Sequence, residues 1–410
     1  MFERDDQSHA SKPLRICMLV PYDITERGGV KHHAIELSDA LRRLGDEVIM
    51  LAASSVEIDE PLLRGLPGIV NVRSNGSDNR MGLLVSPPAI WRFFRRHRFD
   101  VVHVHEPQLP LLPYWAAYLA PSLPRICTFH SYAEAPPPRL TRAAKLWAML
   151  QVPFYDRGIA VSEPAARYAG LSWKRPVCVI PNGVSTEMFC PPPERARADG
   201  PLRLLFVGRL SDERKGLSHL LEAYRQLRAS GLDVALDLVG ENAGAAPPPA
   251  LPGLSYHGSL PLPELVQRYQ HADIVIAPST GQESFGIVLL EAMACGKPLV
   301  CSAIEGYLQV ADPSGAIIVQ PADGGAIARA VQELGADPAR RAQMGRLNRR
   351  VALGYDWSAL APRIRNEYLA AVAARQGRRA PAVQGRSSQG PASRSASIWS
   401  PLKTDASAPL

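Results

Sequence analysis

The sequence predicts an α/β protein of two doubly wound parallel sheets facing a central cleft. Three observations predict it. Short apolar runs of strand length alternate with helical patterns, which puts helices on both faces of a parallel sheet. The alternation runs through once, breaks at a stretch of prolines and charges, and restarts. At 410 residues the chain is also too long for one ordinary domain.

The elements follow in order. "LRICMLVP" is a strand, and "GGVKHHAIELSDALRRLG" is a helix ended by Gly45. "DEVIMLAA", "FDVVHVHEP" and "PRICTFHS" are strands, with "LPLLPYWAAYLA" between the last two. The break falls near "IPNGVSTEMFCPPPERARADGP". The pattern restarts with the strand "LRLLFVGRL" and the helix "KGLSHLLEAYRQLRASG". "VALDLVGE", "LSYHGSL" and "ADIVIAPS" follow as strands. The expected division is an N-terminal unit over 13–185 and a C-terminal unit over 186–357, after a disordered segment at 1–12. In such sheets ligands bind at the carboxyl ends of the strands.

Composition narrows the classes. No run of 18 uninterrupted apolar residues exists, so no membrane-spanning helix is expected. "MFERDDQSHASKP" lacks the apolar core of a secretion signal. The six cysteines are scattered without a Cys-x-x-Cys pair, as buried thiols of a reducing cytoplasm would be. The formal charge is +7, but the segment 376–410 carries five Arg or Lys and one acid, leaving +3 for the rest. The body is near balance, which argues against nucleic acid as a partner. The tail is rich in Ser, Pro, Ala and Gly and is expected to be disordered and basic.

Candidate chemistry sits at strand ends. "LLFVGRLSDERKG" puts Arg209 directly after a strand and Lys215 at the opening of a helix, a pair of cations suited to a diphosphate. Two surface cations on a loop would look the same. "RGGVKHH" places Gly28 and Gly29 between the first strand and the first helix, where backbone can approach a phosphate. A tight turn explains the glycines equally well. No Asp-x-Asp occurs, so a common metal clamp for a sugar diphosphate is missing. In "STGQESFGIVLLEAMACGKP", Glu283 lies in the loop before a helix and Glu291 two turns inside it. The pair could take hydroxyls at two places on one elongated ligand. Otherwise Glu283 is a charge at a helix N-terminus and Glu291 an exposed helix residue.

"ESFGIVLLEAMACGKP", "GRLSDERKG", "IPNGV" and the early "GGV" together resemble the retaining glycosyltransferases of family 4, which have the GT-B fold of two Rossmann-like domains. The likeness runs from about Leu14 to about Ala370. "VPYDITERGGV", "FDVVHVHEP", "CTFHS" and "GQESFGIVLLEAMA" are most similar to the phosphatidylinositol mannosyltransferases. The resemblance implies that Arg209 and Lys215 hold the donor diphosphate, with Gly28 and Gly29 closing from the other domain. It implies that Glu291 binds the ribose, and that Glu283 lies against the donor sugar beside the amides of Ser284, Phe285 and Gly286. His130 would stand near the sugar and the acceptor; read alone, it is equally a core histidine. A helix at about 358–375 would cross back to the first domain. The implied reaction is transfer of a hexose, mannose by preference, with retention. No cofactor would be tightly bound. The donor would be a nucleotide-sugar, GDP-mannose favoured over a UDP-sugar, and no metal would be needed to hold it.

The acceptor side is carried by "SPPAIWRFFRRHRFD". Ser86 is the expected N-cap, with prolines in the first turn. Ile90, Phe93, Phe94 and His97 share one face, and Arg92, Arg95, Arg96 and Arg98 crowd the rest. Such a helix can lie on an anionic bilayer or pack on its sheet with a solvated basic face. The resemblance implies a basic membrane helix here, a lipid, lipid-linked or glycan acceptor, and a cytoplasmic location at the inner face of the plasma membrane. Arg27, Lys31, His32 and His33 around the glycine pair either alter acceptor choice or form a solvated helix start, and the proline stretch "AEAPPPRL" could be a mobile acceptor loop. Other classes share the fold: a non-catalytic nucleotide-sugar-binding or membrane-associated protein, and an epimerase or phosphorylase using the same cleft.

Overall fold

A computed structural model describes residues 12–26, 28–74, 77–109, 111–133, 146, 150, 154–173, 175–193, 200–242 and 246–379. Arg27, nearly all of "AEAPPPRL", the first eleven residues and the tail from 380 onward lie outside the described residues.

The first sheet is built on strands β1 (Arg15–Asp23), β2 (Glu47–Ser54), β3 (Ile58–Glu60), β4 (Leu63–Pro67), β7 (Val101–His105), β8 (Arg125–Phe129), β9 (Arg157–Ala160) and β10 (Val177–Val179). Their order is β10-β9-β8-β7-β1-β2-β4-β3, parallel except at the β3 edge. A hairpin of β5 (Ile69–Ser74) and β6 (Ser77–Gly82) joins it through Tyr22 of β1. Sequence patterning did not single out β3 to β6: their residues are mostly polar or half-exposed and carry no apolar run.

The second sheet is wholly parallel. It holds β11 (Leu202–Val207), β12 (Val234–Val239), β13 (Leu254–Tyr256), β14 (Ile274–Ala277), β15 (Leu299–Ser302) and β16 (Ala316–Val319) in the order β13-β12-β11-β14-β15-β16. Its strands are short continuous apolar runs because helices cover both faces. In each sheet the strand order reverses at the middle, beside β1 in one and β11 in the other. Ligands of doubly wound sheets bind at such switch points, beyond the carboxyl ends of the strands.

The helices that matter are α1 (Gly29–Arg43), α2 (Pro87–Arg96), α3 (Leu112–Leu119), α4 (Glu163–Ala169), α5 (Leu217–Ala229), α6 (Leu262–His271), α7 (Ile287–Ala294), α8 (Gly324–Ala336), α9 (Pro338–Leu353) and α10 (Trp357–Arg379). Gly45, at φ 92°, ends α1 in the left-handed region, as its position in the sequence suggests. The chain passes between the sheets twice, at Val184 and at Asp356, which pair as an isolated bridge. Asp356 then fastens the crossing: one carboxylate oxygen accepts from Thr186 N–H and Oγ1–H, the other from Ser358. Burial alone would raise its pKa; these bonds outweigh that and bring it to about 2.

Helix α10 packs on the first sheet. Trp357, Leu360, Ile364 and Tyr368 are buried with Ile16, Met18, Leu37 and Val101, and Arg365 pairs with the buried Asp46. The helix carries to Arg379, past the expected end at 375 and into the segment expected to be disordered. It takes Gly377 with it: apolar packing upstream extends the helix through a poor helix former.

Candidate active site

Each sheet sends its functional side chains from the strands beside its switch point. In the second sheet, Gly208 and Arg209 directly follow β11. Lys215 closes a 3₁₀ turn at Glu213–Lys215, one turn ahead of α5 rather than inside it. Gly216 follows at φ 70°, and a Cβ there would stand 2.0 Å from the Pro278 carbonyl oxygen. Only glycine lets the β11 turn lie this close to the β14 loop.

That contact brings Lys215 to Glu283, Nζ to Oε1 at 2.6 Å, with both side chains mostly shielded from water. Glu283 therefore reaches the cleft as an ion-paired carboxylate. Ser284, Phe285 and Gly286 lead into α7. Phe285 is buried and Gly286 caps the helix at φ 97°, where a Cβ would meet the Tyr307 ring at 2.7 Å. Glu291, the fifth residue of α7, is buried, and Tyr269 donates a hydrogen bond to its Oε2 at 2.6 Å.

From the first sheet, α1 begins at Gly29 directly opposite. A Cβ on Gly29 would sit 3.4 Å from Ile287 Cδ1, so the N-termini of α1 and α7 face each other across the cleft. Two helix N-termini directed at one space favour an anion there. Lys31, which the sequence marks only as a flank of the glycines, is buried beside them and donates to the Asp23 carbonyl at 2.7 Å. Burial lowers its pKa to about 8. Arg209, across the cleft, and Arg80 push the same way, against Glu26 and Asp23.

His130 follows β8 and is buried. Its Nε2 lies 2.9 Å from His105 Nδ1, and its backbone N–H donates to Glu106 Oε1 at 3.0 Å. Burial pushes the His130 imidazole well below its usual range, so the ring is neutral. Glu106 lies at the end of "FDVVHVHEP", where the strand pattern assigns it no role. It sits at φ 52°, accepts from Ser131 as well, and burial raises it to about 7. The β7 end therefore positions the loop that carries His130. Tyr132 and Arg167 both reach Glu305 of the second domain, Tyr132 at 2.8 Å.

The basic segment follows the β5–β6 hairpin, and Arg96 lies 3.8 Å from Asp59 of the edge strand β3. Ser86 is the N-cap of α2 and prolines occupy the first turn, although the serine side chain makes no capping bond. The apolar face is turned inward: Ile90 and Phe93 are buried, and Phe93 stacks on Phe99. Arg92, Arg95, Arg96 and Arg98 are exposed, with Trp91 among them under the Arg95 guanidinium at 5.1 Å. Of the two arrangements open to this stripe, its aromatic residues are found largely in the core, and Trp91 is the aromatic on the outer face. No helix among the described residues is long and apolar enough to cross a membrane.

Two family models cover both halves. Residues 27–188 match the one described as Glycosyltransferase Family 4, and residues 201–337 the one described as Glycosyl transferases group 1. The phosphatidyl-myo-inositol mannosyltransferase of Mycobacterium leprae is 32% identical over 374 residues, spanning 87% of this chain and 96% of that protein. The protein of the same name from Mycolicibacterium smegmatis is 32% identical over 377 residues, spanning 87% of this chain and 93% of that one. Among solved structures, sucrose-phosphate synthase from Thermosynechococcus elongatus superposes with TM-score 0.68 at 21% identity, covering 88% of this chain and 100% of that one. The Anabaena HepE protein in complex with UDP gives 0.65 at 19%, covering 87% and 100%.

Proposed function

We propose, for a chain that belongs to the glycosyltransferases of family 4, transfer of mannose from GDP-mannose to a phosphatidylinositol-type lipid at an anionic membrane surface. The chain is a glycosyltransferase of the GT-B fold, and the finer choices of donor and acceptor are our reading. The single observation that carries them is near-full-length identity of 32% to mannosyltransferases acting on phosphatidyl-myo-inositol.

The geometry supports a division of labour. The donor diphosphate lies between the N-termini of α1 and α7, met by Arg209 and Lys215 from one side and by Lys31 from the other. Lys31 and Arg209 repel each other across the cleft, and a diphosphate between them turns that repulsion into two charge-assisted contacts. Glu291, oriented by Tyr269, takes the ribose. Glu283, held by Lys215, takes hydroxyls of the sugar, with the amides of Ser284, Phe285 and Gly286 near the phosphate.

In this reading the acceptor oxygen attacks the anomeric carbon on the face from which the diphosphate departs. The bond to the leaving phosphate oxygen breaks as the new glycosidic bond forms, and the acceptor proton passes to that phosphate. A retaining hydrolase needs two carboxyl groups about 5–5.5 Å apart; here one acid, Glu283, is paired to a lysine and supplies positioning and field instead. His130, neutral, orients the sugar or acceptor hydroxyl. Arg92, Arg95, Arg96 and Arg98 with Trp91 rest on the bilayer, in the cytoplasm.

The test is a product analysis. Protein incubated with GDP-mannose and vesicles containing phosphatidylinositol should yield a lipid heavier by one hexose, with an α-anomeric signal. An unmodified lipid pool beside released free mannose would reject the lipid acceptor.

A further inference from the structure

Three imidazoles meet at the N-terminal wall of the cleft. His33 comes from the second turn of α1, His105 from the end of β7 and His130 from the loop after β8. All are buried, with 3%, 0% and 7% of their surface exposed. One ring nitrogen from each lies within 4.8 Å of the others. His105 Nδ1 and His130 Nε2 are already 2.9 Å apart. Two nitrogens bound to one zinc ion at about 2.0–2.1 Å stand roughly 3.3 Å apart in a tetrahedron.

His33 stands edge-on to both rings, its centroid 5.4 Å from His105 and 4.7 Å from His130. Neither of its nitrogens makes a hydrogen bond of ordinary geometry, although the Asn182 side chain lies close enough to favour its protonated form. A buried imidazole without partners is costly and calls for a reason. Trp357 holds the ring in place at 5.0 Å. On the far side of His105, Nε2 is fixed against Met18 Sδ at 3.0 Å, which leaves Nδ1 turned to the cluster.

We propose that His33, His105 and His130 form a site for a divalent ion of the zinc type, its fourth position open to the cleft, and that occupancy arrests transfer by holding His130. Only the arrest rests on the transferase reading; the binding does not. Imidazole donors suit Zn²⁺, Co²⁺, Ni²⁺ or Cu²⁺ and not the oxygen-seeking Mg²⁺. An imidazole ligates through an unprotonated nitrogen, so the proton shared between His105 Nδ1 and His130 Nε2 must pass to an outer ring nitrogen when both bind one ion.

The test uses the full-length chain without a histidine tag, in the absence of donor and acceptor. Titration with Co²⁺ should raise the visible bands of a tetrahedral nitrogen complex at one ion per chain, bleached by Zn²⁺ and untouched by Mg²⁺. His33→Gln should bind Co²⁺ more than about tenfold more weakly, whereas His271→Gln, exposed on α6, should bind as the parent does. If His33→Gln does not fold, His105→Gln carries the same comparison. Absence of the bands, equal affinity in the His33 variant, or their loss in the His271 variant overturns the site. Stoichiometric Zn²⁺ should also stop nucleotide release, with recovery on adding EDTA; bands without inhibition overturn the arrest. Full transfer activity without bands would sink the metal site and leave the transferase standing.

Discussion

Lys215 donates a hydrogen bond to Glu283 across 2.6 Å and so ties the turn after β11 to the loop before α7. Each residue alone would be an ordinary loop charge. Together they present a cation and a fixed carboxylate side by side, which a sugar diphosphate can use at both ends. Lys215→Ala should lower kcat/KM by on the order of 10²-fold, the scale of one lost charge-assisted contact in a shielded site. Glu283→Gln should fall on kcat more than on KM. Because the pair acts as a unit, the double variant should lose clearly less than the product of the two single losses, with a coupling of about 0.5–3 kcal/mol. Strict multiplicativity in that cycle would show that the contact has no energetic meaning.

Glu291 is buried and takes the Tyr269 hydroxyl with one oxygen. Its role at the ribose predicts that the parent protein discriminates a nucleoside diphosphate from its 2′,3′-dideoxy form by about 10- to 100-fold. Glu291→Gln should erase most of that ratio, since a hydrogen bond to a charged group is worth about 1.5–3 kcal/mol. Calorimetric titration with both nucleotides measures it, and an unchanged ratio would remove Glu291 from the ribose site.

Lys31 supplies a pH signature. Burial brings it to about 8, so it is charged below that value and neutral above it. An anion bound against it favours the charged form. Nucleotide diphosphate affinity should therefore be greatest below pH 8 and fall as pH rises from about 8 to 9.5. In Lys31→Met the affinity should be weaker at pH 7.5 and flat over the same range. A parallel decline in the variant would assign the titration to another group.

Arg92, Arg95, Arg96 and Arg98 are exposed on and just after α2. Replacing all four with Ser should release the protein from anionic vesicles, each arginine contributing about 1 kcal/mol near such a surface. Nucleotide affinity should not change. Vesicle flotation at low and high salt checks both statements, and undiminished binding by the variant would move the membrane contact elsewhere.

How much of this was legible beforehand depended on the physics each feature rests on. The strands β1, β7, β11 and β14 are apolar runs, and their ends carry the glycines and charges, so both doubly wound units and Arg209, Lys215, Glu283 and Glu291 could be named from pattern and resemblance. The polar strands β3 to β6 could not, because an edge hairpin buries little. The inward face of α2 was visible as an apolar stripe, but periodicity cannot say whether a stripe meets a bilayer or the protein's own core; the burial of Ile90 and Phe93 with Val102, Val104 and Leu112 settles it. Glu106, His33 and His105 were hidden for a different reason. Their partners lie in other segments, and only the parallel pairing of β7 with β8 brings His105 beside His130. "HVHEP" and "TFH", each ending a strand in adjacent positions, were the signal available.

The most direct measurement of the central claim is nucleotide release from a panel of GDP- and UDP-sugars, in the presence of phosphatidylinositol vesicles, beside an Arg209→Ala control that retains the parent's thermal transition. The account predicts release of GDP from GDP-mannose, stimulated by the vesicles and lost in the control. Release from a UDP-sugar instead would contradict the donor assignment, and no release from any donor by a folded protein that nucleotide still stabilises would contradict the transferase itself.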